Sequence, residues 1–437
     1  MSSESSQPKS MIHNAVAEFL HDLEGVNHAV QIACPIVQAA SAKTRTKFED
    51  FSEPFKKEAS EEDSSPVFHV PFASDKEFRE LRRRDAALRS ALFQTPRALL
   101  VAMVSTYDAF LGRLLRSVYL LTPDQLNASE RTFSFSELVS FGSIEAAREH
   151  MVSAEIESVL RKSHTEQFEY LEKRLAIPLR KGLDSWSTFV ELTQRRNLFV
   201  HADGIVSRQY LKVCADAGVE LKENLLGKRL HVGPAYFEKA FDCLYEIAVK
   251  LAHTIWRKLS PGDLQSADDS LNSTCYQLLE TERYNLAHEL LVFATTGQPR
   301  HSSAFRRRML VINRAIAVKF GGIESAPWPL DTEDWSDCGD PFALAVAVLS
   351  DDLETATAVM RRIGPDHELV HPIAYGSWPL FRSFRETEEF RDTYKEIYGD
   401  EFTVTEDKTA EEASVDPDSR TETDEDGEDG GPQHLLA

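Results

Sequence analysis

The chain has 437 residues, too many for one ordinary domain and enough for two or three. Apolar residues make up 42 % of it, which excludes wholesale disorder. The net charge of −22 is uneven, with roughly half of it after Phe402 in runs such as TETDEDGEDGG. The rest is therefore closer to neutral, which excludes a broadly basic, DNA-coating surface and leaves a nucleic-acid partner open.

Helix signals dominate from the start. Met11 to Ala42 shows helical spacing, with Pro35 as an expected kink or break. Lys43 to Ser65 is polar and reads either as a charged helix or as a linker. Asp75 to Phe93 is a charged helix. Thr95-Pro96 is a start signal, an N-cap residue followed by proline at the first helical position. The segment RALLVAMVSTYDAFLGRLLRSVYLL that follows is apolar around much of its circumference, so it belongs in the centre of a domain. Phe133 to Phe141 predicts a short helix and Ser143 to Leu175 a long amphipathic one. After Pro178, Leu183 to Val200 is helical and stops near Gly204. Gly204 to Leu230 reads as irregular, and Pro234 to Leu259 as the last helix before an SPGD boundary at Ser260 to Asp263.

Paired helices follow. LNSTCYQLLETERYNLAHELLVFATTG pairs with FRRRMLVINRAIAVKFGG, DPFALAVAVLSDDLETATAVMRRIG is helix, turn, helix, and Arg385 to Tyr398 closes the set. No fixed-period repeat is visible. The expected fold class is all-α: residues 1–74 an N-terminal helix and charged linker, 75–262 a helical bundle, 263–402 a second α-helical domain, and 403–437 a disordered acidic tail.

The five cysteines are far apart and odd in number, as expected of buried thiols in a reducing compartment rather than a disulfide frame or zinc site. No metal-ligand spacing appears, and neither a metal nor a cofactor is expected. The polar start lacks an apolar signal core, and the apolar run ALLVAMV is far short of the ~20 residues of a membrane span. The expectation is a cytoplasmic protein without a membrane partner.

The stretch RRNLFVHADGIVSRQYL carries the chemistry-bearing residues. Arg196 and His201 are five positions apart, about 140° on an ideal helix, and so do not share a face. The spacing alone says little, because Arg283 and His288 match it and Arg361 and His367 match a version one residue longer. A purely structural reading is available: the arginines favour the negative end of the helix dipole and His201 caps the last carbonyls.

The wider segment resembles the ribonuclease motif of the HEPN family of helical domains: an arginine, a polar residue, a short apolar stretch, then histidine. Arg196, Asn197, Leu198 to Val200 and His201 fill those places, and Ala202 to Leu211 is similar to the continuation. The upstream LLVAMVSTYDAFLGRLLRSVY resembles the buried early helix of such domains, including an acidic residue, here Asp108. The likeness spans roughly residues 80 to 260. The other two Arg/His pairs lack Asn after Arg.

The resemblance implies an endoribonuclease that needs no metal. It also implies a homodimer paired along the motif helices, so that Arg and His from both chains converge in one cleft. In such a mechanism the ribose 2′-OH is the nucleophile, and His201 has the side-chain type whose proton moves near pH 7. Arg196 would clamp the phosphate as charge develops, and Asn197 would orient the imidazole or a phosphate oxygen. Products would be a 2′,3′-cyclic phosphate and a 5′-OH. The role implied is that of a toxin or an effector of anti-phage defence. Candidate RNA-guiding cations are Arg180, Lys181, Arg195, Arg208 and Lys212, Tyr210 is a candidate for base stacking, and Asp108 is a candidate partner for Arg196 or Arg195. The alternatives are a catalytically inactive HEPN module for dimerisation or RNA binding beside a partner protein, and a helical scaffold.

The segment from DPFALAVAVLSDD to EIYG resembles the end of a TPR-like array, with Trp378, Phe381 and Phe384 as core residues. Its sharper reading is a surface for a regulatory protein partner. The acidic tail is expected to stay unpacked, and it either serves only to keep the protein soluble or also competes with RNA for a basic cleft.

Overall fold

The structure, a computed structural model, describes residues 8–57, 67–124, 132–222, 224–297 and 300–403. The acidic tail from residue 404 on lies outside the described residues. The protein is all-α: among the described residues there are fifteen α-helices, and each of the two strands is two residues long. It divides into two compact units, Met1–Glu333 and Asp334–Ala437.

The first unit opens with two very long helices, α1 (Pro8–Ser52) and α2 (Phe72–Leu121), with the paired strands β1 (Lys56–Lys57) and β2 (Val67–Phe68) between them. Phe19 meets Phe110 at 4.9 Å and Phe48 meets Phe78 at 5.6 Å between ring centroids, so the two helices run antiparallel along each other. Both prolines expected to punctuate this region lie inside helices, Pro35 in α1 and Pro96 in α2. Thr95 therefore caps nothing, and Asp75 to Leu121 is one helix rather than two. An interior proline costs about 3 kcal/mol. Burial of Leu100, Met103, Val104, Tyr107, Phe110, Leu111, Leu114, Leu115 and Val118 along α2 outweighs that, at about 1.5–3 kcal/mol per large apolar side chain. By length and composition α2 could cross a membrane, yet these side chains are packed inside the helical unit.

Next come α3 (Phe135–Ser140), α4 (Ile144–Leu160) and α5 (His164–Leu175). The expected single helix over Ser143 to Leu175 is thus two. Ser163 and Glu166 form a capping box that restarts the chain at His164. The motif lies on α6 (Trp186–His201), and a helix absent from the sequence reading follows, α7 (Arg208–Asp216), capped by Ser207. Helix α8 (Pro234–Leu259) is buried on nearly every side and packs on α1, α2 and α6. The SPGD turn leads within the same unit to α9 (Leu264–Glu280), α10 (Tyr284–Val292) and α11 (Ala304–Gly321). The expected helix from Leu271 to Gly297 is broken at Glu282, which has a positive φ, and α10 ends in a π-helical turn, Phe293–Gly297.

The second unit has a helical hairpin, α12 (Asp340–Leu349) and α13 (Leu353–Ile363), with Asp352 capping the second helix. Then come α14 (Pro372–Ser377) and α15 (Glu388–Tyr398). Its core is aromatic: Phe381, Phe384, Phe390 and Tyr375 are buried and in ring contact, while Trp378 lies half-buried on the edge of Phe381.

One buried group of the first unit makes stability depend on pH. His253 on α8 is fully buried and stacked on Trp256, and neither ring nitrogen has a hydrogen-bond partner among the described residues. Burial first, then the charges of Arg257 and His13, push its pKa from 6.5 down to about 3. The unfolded chain therefore takes up this proton first as pH falls. The stability that the neutral ring protects is complete above about pH 6.5 and is lost progressively toward about pH 3. By urea unfolding, His253→Phe should remove an acid-side loss on the order of 2 kcal/mol between pH 6.5 and pH 5. Equal pH slopes for wild type and variant would count against this.

Candidate functional site

Helix α6 buries Phe189, Val190, Leu192 and Thr193 along one face, and the Phe189 ring meets Tyr107 of α2 at 5.1 Å. That packing brings Arg196 against α2, where its Nη2 donates to Asp108 Oδ2. The other oxygen of Asp108 is hydrogen-bonded to His164 Nε2 at 2.8 Å. Arg196 Nη1 also donates to Asn197 Oδ1 at 3.1 Å. Asp108 is thus shared by a guanidinium from α6 and an imidazole from the first residue of α5. The Arg196 and Asp108 side chains are 21 % and 28 % exposed. They keep a solvent-facing edge, whereas the side chain of His164 is 8 % exposed.

His201 is the last residue of α6 and is exposed. The helix end is closed by backbone, not by the imidazole: Leu198 O accepts from both Ala202 N–H at 2.8 Å and Gly204 N–H at 2.9 Å. Asp203 and Gly204 turn the chain with φ of 48° and 76°. The Asp203 carboxylate accepts from Arg97 Nη1 of α2 at 2.7 Å and from Arg229. The hydrogen bond from buried Arg97, followed by the charge of Arg229, holds Asp203 below its ordinary carboxylate pKa. Arg97 also lies over the Phe199 ring at 5.3 Å. Beyond the turn, Val206 N–H donates to Lys228 O and Leu230 N–H to Gly204 O, both at 2.9 Å. The backbone that carries His201 is therefore pinned on two sides.

Because α6 is unbroken through His201, Arg196 and His201 stay about 140° apart on one helix. Exposed apolar side chains lie close to His201 in the chain, Val200 next to it and Ile205 just past the turn, and Leu226 is exposed on the segment that bridges to Ile205 through Arg229. They are 50 %, 41 % and 50 % exposed.

The other candidates are separated by what they touch. Arg195 donates to Glu191 Oε1 at 2.7 Å and to His231 O at 3.0 Å, and it stacks 3.9 Å from the Tyr236 ring centroid. The same buried Glu191 accepts from Tyr210 and Tyr236 hydroxyls, each at 2.6 Å. Arg195 and Tyr210 are thus parts of an internal network, and Tyr210 has no face left for a base. Arg180 is tied to Glu172 and Glu169 and lies over Trp186. Lys181, Arg208 and Lys212 are exposed. In the two other Arg/His pairs the arginine is tied to carboxylates and the histidine does not stand at an exposed helix end. Arg283 bridges Glu238 and Asp242, and His288 is buried. Arg361 pairs with Glu396, and His367 Nδ1 accepts from the N–H groups of Leu369 and Val370.

His164 is the member that periodicity alone did not reveal. The signal that finds it is the S-H-T-E capping box, which starts α5 at that histidine. Among the described residues no group of three or more His, Cys, Asp or Glu side chains could hold a metal ion. In comparisons with models of known families, with curated proteins and with solved structures, nothing matches this chain.

Gly204 tests how tightly the motif end is built. A Cβ there would stand 3.0 Å from the Phe199 ring and 3.2 Å from Arg97 Nη2, whereas Gly218, at a similar φ of 77°, has nothing within 4 Å. Gly218→Ala should cost about 1 kcal/mol for its backbone conformation alone. Gly204→Ala should cost about 1–2 kcal/mol more for the forced shift, both read as urea midpoints.

Proposed function

We propose that the chain is a HEPN-type endoribonuclease that needs no metal and works as a homodimer paired along α6. The observation that carries the reading is the pairing on one helix of an anchored cation and an exposed imidazole: Arg196 is aimed by Asp108, and His201 stands at a braced helix end. A guanidinium held by one carboxylate oxygen and one amide still has N–H groups with which to hold a phosphate. Since the two side chains do not share a face, a second α6 completes the site. The exposure of Val200, Ile205 and Leu226 favours such a contact.

In that site one His201 takes the 2′-OH proton while the 2′ oxygen attacks the adjacent phosphorus. The bond to the 5′ oxygen breaks, and the other His201 donates a proton to the leaving oxygen. Both Arg196 side chains hold the non-bridging oxygens, and Asn197 orients the guanidinium it contacts. Exposed Arg208, Lys212 and Lys181 would guide the strand. The role as a toxin or defence effector follows from the family resemblance, as does a regulatory protein partner for the C-terminal helices. A second reading is favoured by the engagement of Arg196 itself: with Asp108 and Asn197 as partners, it suits an inactive dimerising or RNA-binding module.

Digestion of total RNA in the presence of EDTA, with end-group analysis, separates the two. The nuclease reading expects 2′,3′-cyclic phosphate and 5′-OH ends. His201→Ala and Arg196→Ala should lower cleavage by 10³-fold or more, on the order of a lost acid–base group or oxyanion donor, without changing folding or dimerisation. Arg283→Ala should leave cleavage unchanged. Intact RNA with or without divalent metal would decide for the inactive module.

A further inference from the structure

We propose that Arg314 of α11 and His288 of α10 form a binding site for a small oxyanion beside the π-helical turn Phe293–Gly297. The inference is independent of the nuclease reading and uses none of its residues.

Arg314 is 5 % exposed. Other arginines of the first unit show how a guanidinium is normally satisfied here. Arg306 makes two hydrogen bonds to Asp269, Arg307 pairs with Glu333, and deeply buried Arg257 pairs with Asp268 at 2.8 Å. Arg314 departs from that pattern. Among the described residues no carboxylate reaches it; its Nε has no acceptor, which is also true of Arg257, but Arg257 has Asp268 to balance its charge. Its one hydrogen bond is a long one of 3.3 Å from Nη1 to Thr295 Oγ1, a neutral hydroxyl that itself donates to Leu291 O.

A second nitrogen group lies on α10, the helix that runs into the same π turn. His288 is 8 % exposed and its Nδ1 has no partner. His288 lies one helical turn before Leu291, whose carbonyl accepts from the Thr295 hydroxyl that Arg314 contacts, and burial first, then the positive charge of Arg314, lowers its pKa. Two basic groups are thus buried together without an acid. An uncompensated buried cation costs several kcal/mol, and an oxyanion removes that cost. The fork of a guanidinium matches two oxygens of a phosphate or carboxylate, and an imidazole N–H can serve another. The π turn is the third observation. It holds Thr295, among the described residues the only one to which Arg314 hydrogen-bonds, and such turns occur frequently at functional sites.

The test is thermal unfolding of the full chain in chloride, inorganic phosphate and acetate at matched ionic strength. About 20 mM phosphate or acetate should raise the wild-type midpoint by a few degrees over chloride. A response to phosphate identifies a phosphoryl ligand, and a response to acetate alone identifies a carboxylate. Arg314→Met should unfold in chloride at or above the wild-type temperature and lose the anion response, while His288→Asn should weaken it. An equal response in Arg314→Met means adventitious binding elsewhere and overturns the proposal, as does a wild type indifferent to both anions. If Arg314→Met fails to fold, phosphorus NMR line broadening on wild type and Arg314→Lys decides. Lysine keeps the charge but loses the fork, so broadening should drop, and equal broadening overturns the site.

Discussion

The candidate site depends on one uninterrupted helical stretch, from Arg97 to Asp108 on α2. Eleven residues of α-helix bring two side chains back to within about 20° of one face and about 16 Å apart along the axis. On that face α2 offers a cation at one end and an anion at the other. Asp108 takes Arg196, and Arg97 takes Asp203, so the end of α6 is held on both sides of His201. Neither ion pair would form if the apolar face between them, Leu100 to Tyr107, were not buried. The hydrophobic term sets the position of α2, and the charges then set the register of α6 against it.

The same arrangement explains why a weak motif can still carry chemistry. Three Arg/His pairs in this chain have nearly the same spacing. Neither of the other two histidines is open to an RNA strand, His288 because it is buried and His367 because its Nδ1 accepts from backbone donors, whereas His201 faces solvent on a braced turn. What distinguishes the pairs is the free energy already committed to each side chain. Arg195 and Arg196 make the same point at adjacent positions. Arg195 turns inward to the Glu191, Tyr210 and Tyr236 network, and Arg196 turns toward Asp108 with a solvent-facing edge.

Much of the fold was legible in the sequence. The all-α class, the span of α8 between Pro234 and Leu259, and the hairpin of α12 and α13 follow from apolar periodicity and caps, which are local signals. The failures have two causes. Thr95-Pro96 read as a helix start because the local cost of proline is visible in sequence and the long-range packing that offsets it is not, and of the kink or break expected at Pro35 the break does not occur. The split between α4 and α5 was missed because the capping box at Ser163 sits inside an otherwise continuous amphipathic pattern.

For the candidate site, the sequence by itself determined the residue types and their order: an arginine, an asparagine, a histidine five positions after the arginine, and a glycine where the chain must turn. An imidazole that can both accept and donate a proton and a glycine free to take a positive φ are properties of the residue types alone. Only the tertiary structure decided that Arg196 rather than Arg195 faces Asp108 and that His164 shares that carboxylate. It also decided that Arg314 is buried without an acid. Those outcomes depend on which distant elements meet, and no local pattern encodes a meeting between residues 88 positions apart.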